Sequence, residues 1–342
     1  MRGLSKWAMG LAVLGAAVAG GAAWMIAMPG AAVPAPPVVD VVAESQLAAR
    51  LRQHVGAIAG ERNWLKLEAL EASARYIEGQ LQAMGYTVTR QSVPSKSRPV
   101  SNIEAKLEGE AGAARGLVVI GAHYDSAEDT VGANDNGSGV AVLLELARAY
   151  AGQRAAPGFE GVRLVFFVNE EPPYFQTEMM GSLVYAKELA AQKKKVAAMY
   201  ALETMGAYYD TPGSQRYPLP GLGMIYPGAG NFLGFISNTD GRDDVRTAVG
   251  AFRATRRLPS EGIAAPGKLE GIDWSDHWSF WTQGYPGVMV TDTAPFRYEY
   301  YHTPQDTPDK IDYQRLAKAT LGLREMFARL YLQPGLKPGQ GA

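Results

Sequence analysis

Residues 162–173 read VRLVFFVNEEPP. An apolar run stops at an asparagine, two adjacent glutamates and two prolines, and the prolines block any continuation of a strand ladder. A continuous apolar run, rather than an alternating one, marks a strand covered on both faces. GLVVIGAHYD at 116–125 has the same form, and VAAMYALE at 196–203 and PGVMVTDT at 286–293 read as further strands. Helical segments separate them. SGVAVLLELARAY covers 138–150 with Ser138 as N-cap, VYAKELAAQ covers 184–192, and DYQRLAKATLGLREMFARLY closes the chain at 312–331 with Asp312 as cap. Earlier, ALEASARYIEGQLQAMG has helical spacing at Leu70, Ala74, Ile77 and Leu81 and stops at Gly85. YTVTRQSV at 86–93 and SNIEAKL at 101–107 alternate as half-buried strands do. The pattern predicts an α/β fold: a mixed, mostly parallel twisted sheet sandwiched between helices, with the early strands as an antiparallel edge.

The chain has 342 residues and a formal net charge of -1. That length allows a sizeable core, and the near-neutral balance gives no support for a nucleic-acid partner. There is no cysteine, so any metal must be held by carboxylates and by the four histidines, His54, His123, His277 and His302. Arg2 and Lys6 precede an apolar stretch at 7–28, WAMGLAVLGAAVAGGAAWMIAM. As a helix those residues reach roughly 33 Å, about the thickness of a bilayer core. The charges placed before the span put the rest of the chain outside the cytoplasm. A cleaved signal peptide is the competing reading, since small residues follow. The expected organisation is a membrane anchor or signal segment plus a stiff Pro/Ala linker at 1–40, one catalytic domain at 41–332 and a tail at 333–342.

In such sheets ligands bind beyond the carboxyl ends of the strands. That gathers His123-Tyr124-Asp125, Asn169-Glu170-Glu171 and Leu202-Glu203-Thr204 in one region. His123 and Asp125 face the same way, as a metal-ligating histidine and its carboxylate partner do. Asp135 sits in GANDNGSG, a glycine-rich loop that can present a carboxylate to two cations. Glu170 and Glu171 point apart in extended chain, so one can bind metal while the other addresses what the metal activates. His302 comes from the loop YYHTPQDTPDKID. Taken singly, each of these has an ordinary structural explanation. Gathered at one edge they would repel and desolvate one another unless divalent cations compensate. Zinc suits such ligands, with cobalt or manganese as substitutes.

With these motifs in this order, residues 45–330 resemble the M28 family of zinc-dependent metallopeptidases. The resemblance implies the phosphorylase/hydrolase-like, zinc exopeptidase fold, two zinc ions and an exopeptidase, most often an aminopeptidase acting on peptides with a free N-terminus. It makes Asp135 the bridging ligand, in a loop where an adjacent peptide is often cis. Glu171 and His302 become the other ligands of one zinc. His123 becomes a ligand of the second zinc, with Asp125 behind it, and Glu170 the general base. Glu203 falls where many members carry Asp. Tyr301 matches a tyrosine that stabilises the oxyanion in some relatives, with Tyr298 and Tyr300 as rivals. Asp276 and His277 read as structural or pocket-shaping, and His54 as remote from the chemistry. Segment 205–270 reads as the rim of the site. Two other functions stay open: a glutaminyl cyclase on the same fold, and a binding domain without activity.

Overall fold

Leu117–His123 is buried at all of its positions, which is why its sequence is apolar without alternation. A computed structural model describes residues 20–333 and shows what covers this strand. We number the strands β1 (Val88–Val93), β2 (Val100–Glu108), β3 (Leu117–His123), β4 (Gly161–Phe167), β5 (Val196–Leu202), β6 (Leu233–Ser237), β7 (Ser260–Ala264) and β8 (Val288–Thr291). They form one sheet in the order β1-β2-β4-β3-β5-β8-β6-β7. β4, β3, β5 and β8 run parallel, while β1 and β2 form the antiparallel edge that their alternation predicted.

The helices are α1 (Val41–Ile58), α2 (Leu67–Ala83), α3 (Gly137–Tyr150), α4 (Gly181–Ala191), α5 (Arg242–Arg253), α6 (His277–Trp281) and α7 (Tyr313–Tyr331). Val118, Ile120 and Ala122 of β3 face the larger core under α1, α2, α3, α5 and α7. Leu117 and Val119 face the smaller one under α4 and α6. This period of two assigns alternate residues of one strand to two cores. Each fully buried Val, Leu, Ile or Phe contributes about 1.5–3 kcal/mol, so the central strands hold the site on the most rigid part of the molecule.

The parallel register aligns strand ends. Gly121 pairs with Ala201, so two residues further on His123 and Glu203 emerge side by side. α3 begins at the same edge, and a Cβ on Gly139 would lie 2.5 Å from Leu202 O, so only glycine lets the helix approach β5 this closely.

Three expectations are corrected. The cap of α3 is Asn136, whose side chain accepts from Gly139 N at 3.0 Å. Ser138 instead donates to Asn134 O at 2.7 Å and accepts from Met205 N, tying the loop to the end of β5. The 205–270 segment is rim only in its first part and then supplies β6, α5 and β7. Those strands have five residues each, and both contain glycine, too short for periodicity to register. The Pro/Ala stretch, expected as a stiff linker, is bound to the domain: Ser260 N donates to Ala32 O and Val38 N to Arg256 O, both at 2.9 Å. Most of the apolar opening, residues 1–19, and residues 334–342 of the tail lie outside the described residues. Among the described residues no helix is long and apolar enough to cross a membrane.

Candidate metal centre

The chain leaves β4 through Asn169, held at φ +58°, a left-handed conformation that asparagine tolerates better than most residues. The turn delivers Glu170 and Glu171 to the end of β3. There Asp125 accepts from Glu170 N at 3.2 Å and Glu171 N at 3.1 Å, one oxygen each. Asp125 was expected to orient His123. Its carboxylate stands 3.6 Å from His123 Nδ1, and its backbone oxygen is closer at 3.2 Å. The residue therefore fixes the glutamate pair at least as much as the imidazole.

Asp135 is presented by a braced loop. Asp306 accepts from Asn134 N at 2.8 Å and from Asp135 N at 3.0 Å, and Tyr298 Oη donates to Asp306 at 2.7 Å. The Asp135–Asn136 peptide is cis. Behind the loop lies Arg62, which sequence reasoning missed. Its guanidinium is 1% exposed and donates to the carbonyls of Tyr124, Gly132, Val131 and Gly60 at 2.7–3.2 Å. Among the described residues no carboxylate hydrogen-bonds it, and its charge acts on Asp306, Asp125, Asp135 and Glu171 together. The one available signal was an arginine wedged between polar turn residues and an apolar stretch in GERNWL.

The five expected ligand residues come together. Asp135 Oδ1 lies 3.3 Å from His123 Nε2, and Asp135 Oδ2 lies 3.1 Å from His302 Nε2. Glu203 Oε2 is 3.0 Å from His123 Nε2, and Glu171 Oε2 is 3.2 Å from His302 Nε2. The donors thus fall into two sets, each with one imidazole and one terminal carboxylate, and Asp135 belongs to both. Glu170 stands just outside, its Oε2 3.8 Å from His123 Nε2. His123 Nε2, both oxygens of Asp135 and Glu171 Oε1 are buried without a hydrogen-bond partner among the described residues. Orphaned atoms of this kind are costly unless something else occupies them. His123, Asp135 and Glu171 each offer an atom within 4.8 Å of the others. Imidazole nitrogen and carboxylate oxygen at this spacing fit divalent ions of the zinc type.

The electrostatics agree. Burial pushes the Glu170 carboxyl well above the usual range and Glu203 up to about 8. Burial opposes the charge on Asp135, but the two imidazoles overcome it and hold that carboxyl below the usual range. Burial also opposes a charged His302, yet the adjacent Asp135 and Glu171 carboxylates raise it to about 11. Protons are held where cations would bind.

Asp276 is 1% exposed, both of its oxygens lack hydrogen-bond partners among the described residues, and burial raises it to about 7. Next to it Ser275 Oγ donates to Glu203 at 3.1 Å. His277 turns away, its Nε2 2.7 Å from Ile272 O and its ring edge-on to Trp281. His54 sits between Tyr76 and Glu145, within the helical layer. Of the three tyrosines, Tyr298 is committed to Asp306 and Tyr300 lies under Lys310. Tyr301 stacks on His302 at 3.9 Å, and burial, with the field of four carboxylates, keeps its phenol protonated.

Beside Glu203 and Tyr301 opens an apolar pocket. Met289 of β8, Ile236 of β6 and Ile263 of β7 line it together with Tyr217, Tyr226 and Phe296. Trp274 lines the pocket as well, while Tyr208 is buried.

Residues 102–326 match the family described as peptidase family M28. The uncharacterized protein YfbL of Escherichia coli (strain K12) is 40% identical over 266 residues, covering 75% of this chain and 79% of that protein. Aminopeptidase YwaD of Bacillus subtilis (strain 168) is 27% identical over 207 residues, 59% of this chain and 38% of that protein. A zinc aminopeptidase from Bacillus subtilis superposes with a TM-score of 0.60 at 15% identity, covering 87% of this chain and 96% of that one. Macrostomum lignano glutaminyl cyclase superposes with a TM-score of 0.62 at 18% identity, covering 89% and 96%. At those identities the likeness is one of fold, and it bears out the mixed, mostly parallel sheet among helices. The chain belongs to peptidase family M28.

Proposed function

We propose that this member of peptidase family M28 is a zinc-dependent exopeptidase, an aminopeptidase, with His123, Glu203 and Asp135 holding one ion and His302, Glu171 and Asp135 another. One observation carries the reading: the two oxygens of Asp135 face two different imidazoles, at 3.3 and 3.1 Å. When bound, such ions supply a water whose pKa is lowered toward about 7 and a Lewis acid for a carbonyl.

The chain's own residues do the rest. Glu170 is buried beside both ligand sets and belongs to neither, and burial has raised its proton affinity. It takes the proton of the attacking water and hands it to the leaving amine nitrogen as the carbon–nitrogen bond breaks. The Tyr301 phenol, held protonated beside His302, donates to the carbonyl oxygen as charge develops there. The apolar pocket beyond Glu203 receives the side chain of the terminal residue.

The glutaminyl cyclases among the fold neighbours make that chemistry the alternative, and one experiment separates the two. Free peptides and their N-acetylated copies are incubated with the protein, with and without chelator, and products are weighed. Stepwise loss of N-terminal residues from the free peptides alone, abolished by chelation, supports the aminopeptidase. Loss of one ammonia from N-terminal Gln moves the assignment to a cyclase. We also propose that the domain is exported and that residues 7–28 anchor it, with a cleaved signal as the alternative. Amino-terminal sequencing of the protein recovered from membranes distinguishes these.

A further inference from the structure

The end of the apolar opening is bolted to the domain. Residues 20–26 are helical. Carbonyls at the end of such a helix lack internal partners. Here one face of α5 supplies them for the closing turn and the residues that follow. Arg242 Nε donates to Trp24 O at 2.9 Å, Arg246 donates to Ala27 O, and Arg253 Nη1 donates to Pro29 O and Gly30 O at 3.1 and 2.9 Å. Met28 lies against β7, where a Cβ added to Gly262 would be 3.1 Å from its sulfur. No slack therefore separates the apolar stretch from α5 and β7.

One residue of β7 connects this bolt to the pocket roof. The Tyr226 hydroxyl donates to Gly262 O at 2.8 Å. The 217–227 loop it belongs to has two faces. Tyr217, Leu222 and Tyr226 look inward over the pocket. Leu219, Met224 and Ile225 look outward, and Met224 is 89% exposed. Trp24, 45% exposed under Arg242, is the residue type enriched where a span meets headgroups. An apolar tip this bare marks an interaction surface.

We infer that the β7 edge of the domain docks on a phospholipid surface, with Leu219, Met224 and Ile225 dipping into the headgroup boundary. The inference rests on the reading that the apolar opening anchors the chain. A span that reaches the interface at Trp24 puts α5 and β7 at the headgroups, because residues 24–30 are already bonded to the domain and leave it no room to swing away. The apolar tip is then buried instead of hydrated. The pocket roof then lies on the membrane, and substrate enters from the bilayer surface.

The chain has no native cysteine, so a single introduced one carries a unique label. Full-length Met224→Cys, bearing an environment-sensitive fluorophore, is reconstituted in vesicles of phosphatidylethanolamine and phosphatidylglycerol. Thr87→Cys, exposed beside β1 at the opposite edge of the sheet, is the control. The expected result at Met224 is a blue shift, quenching by spin-labelled lipid and loss of quenching by iodide, with none of these at Thr87. Equal iodide quenching at both positions in chains that float with the vesicles overturns the docking and leaves the anchor standing. Chains that do not float with vesicles overturn both. Shielding from iodide without quenching by lipid, retained in detergent, assigns the tip to a protein partner and overturns the lipid reading.

Discussion

Glu203→Asp shortens one side chain by a methylene and withdraws its carboxylate by about 1.5 Å, one carbon–carbon bond. The backbone cannot follow, because Glu203 N is bonded to Val290 O at 2.9 Å at the end of the central sheet. Glu203 Oε2 now stands 3.0 Å from His123 Nε2, with Ser275 Oγ at 3.1 Å and Asn136 Nδ2 at 3.3 Å behind it. Ligand positions tolerate about 0.2 Å, so a retreat of that size removes the carboxylate from the His123 set. Losing even an outer partner of a metal ligand costs roughly 10–100-fold in affinity, about 1.4–2.8 kcal/mol, and a direct ligand costs at least this much. The His302 set, with Glu171 and the far oxygen of Asp135, is untouched. The assay is zinc content per chain after equilibration across buffered free-zinc concentrations, for the wild type, Glu203→Asp and Glu203→Gln. The wild type should fill in two steps. Each variant should keep one step in place and move the other to at least tenfold higher zinc. In Glu203→Asp stability should fall by only about 1 kcal/mol, the cost of one buried methylene. Two unshifted steps in Glu203→Asp would refute the ligand role of Glu203 and the two-set reading.

Glu170→Gln should lower turnover roughly 10²–10⁴-fold while zinc content stays at the wild-type level, and activity within tenfold of wild type would exclude Glu170 as the base. Zinc uptake by the ion-free protein should release protons. pH 7 lies below the raised pKa values of His302, at about 11, and Glu203, at about 8, and the surrounding carboxylates hold His123 well above the usual imidazole range, so all three are protonated and must deprotonate to bind. Uptake should therefore release about three protons per chain, and affinity should rise as the pH climbs through 8. Titration calorimetry in buffers of unlike ionisation enthalpy measures the release, and a value of zero contradicts the account. Tyr301→Phe should cost roughly 10²-fold in turnover at constant melting temperature. Tyr298→Phe should instead cost about 1 kcal/mol of stability through its lost bond to Asp306, and a larger turnover loss at Tyr298 than at Tyr301 would reverse their roles.

Most of the site was legible because its residues sit where apolar strands stop. His123, Asp125, Glu170, Glu171 and Glu203 needed only the rule that parallel strands align their carboxyl ends. Asp135 and His302 needed motif resemblance, since nothing local in a glycine loop or a Pro-rich loop says where it lands. Arg62 and Asp276 were out of reach as partners of the site. Their roles come from burial against carbonyls and carboxylates far away in sequence, which no period or spacing records. The cap of α3 was misplaced by two residues because Asn136 and Ser138 are both good caps, and the contact of Ser138 with Met205 across the sheet decided between them.

The amino-acid sequence by itself determined the central strands, the helices between them, the family and the residue types of the candidate metal centre. Those follow from hydrophobic periodicity and from short motifs, which are local properties of the chain. Tertiary structure decided that Asp135 turns one oxygen to each imidazole, that Asp125 holds the glutamate pair and that Tyr298 is committed to Asp306. It also decided that the Pro/Ala stretch lies bound along α5 and β7. Each is a contact between segments distant in sequence, and such contacts exist only once the sheet has brought its strand ends together.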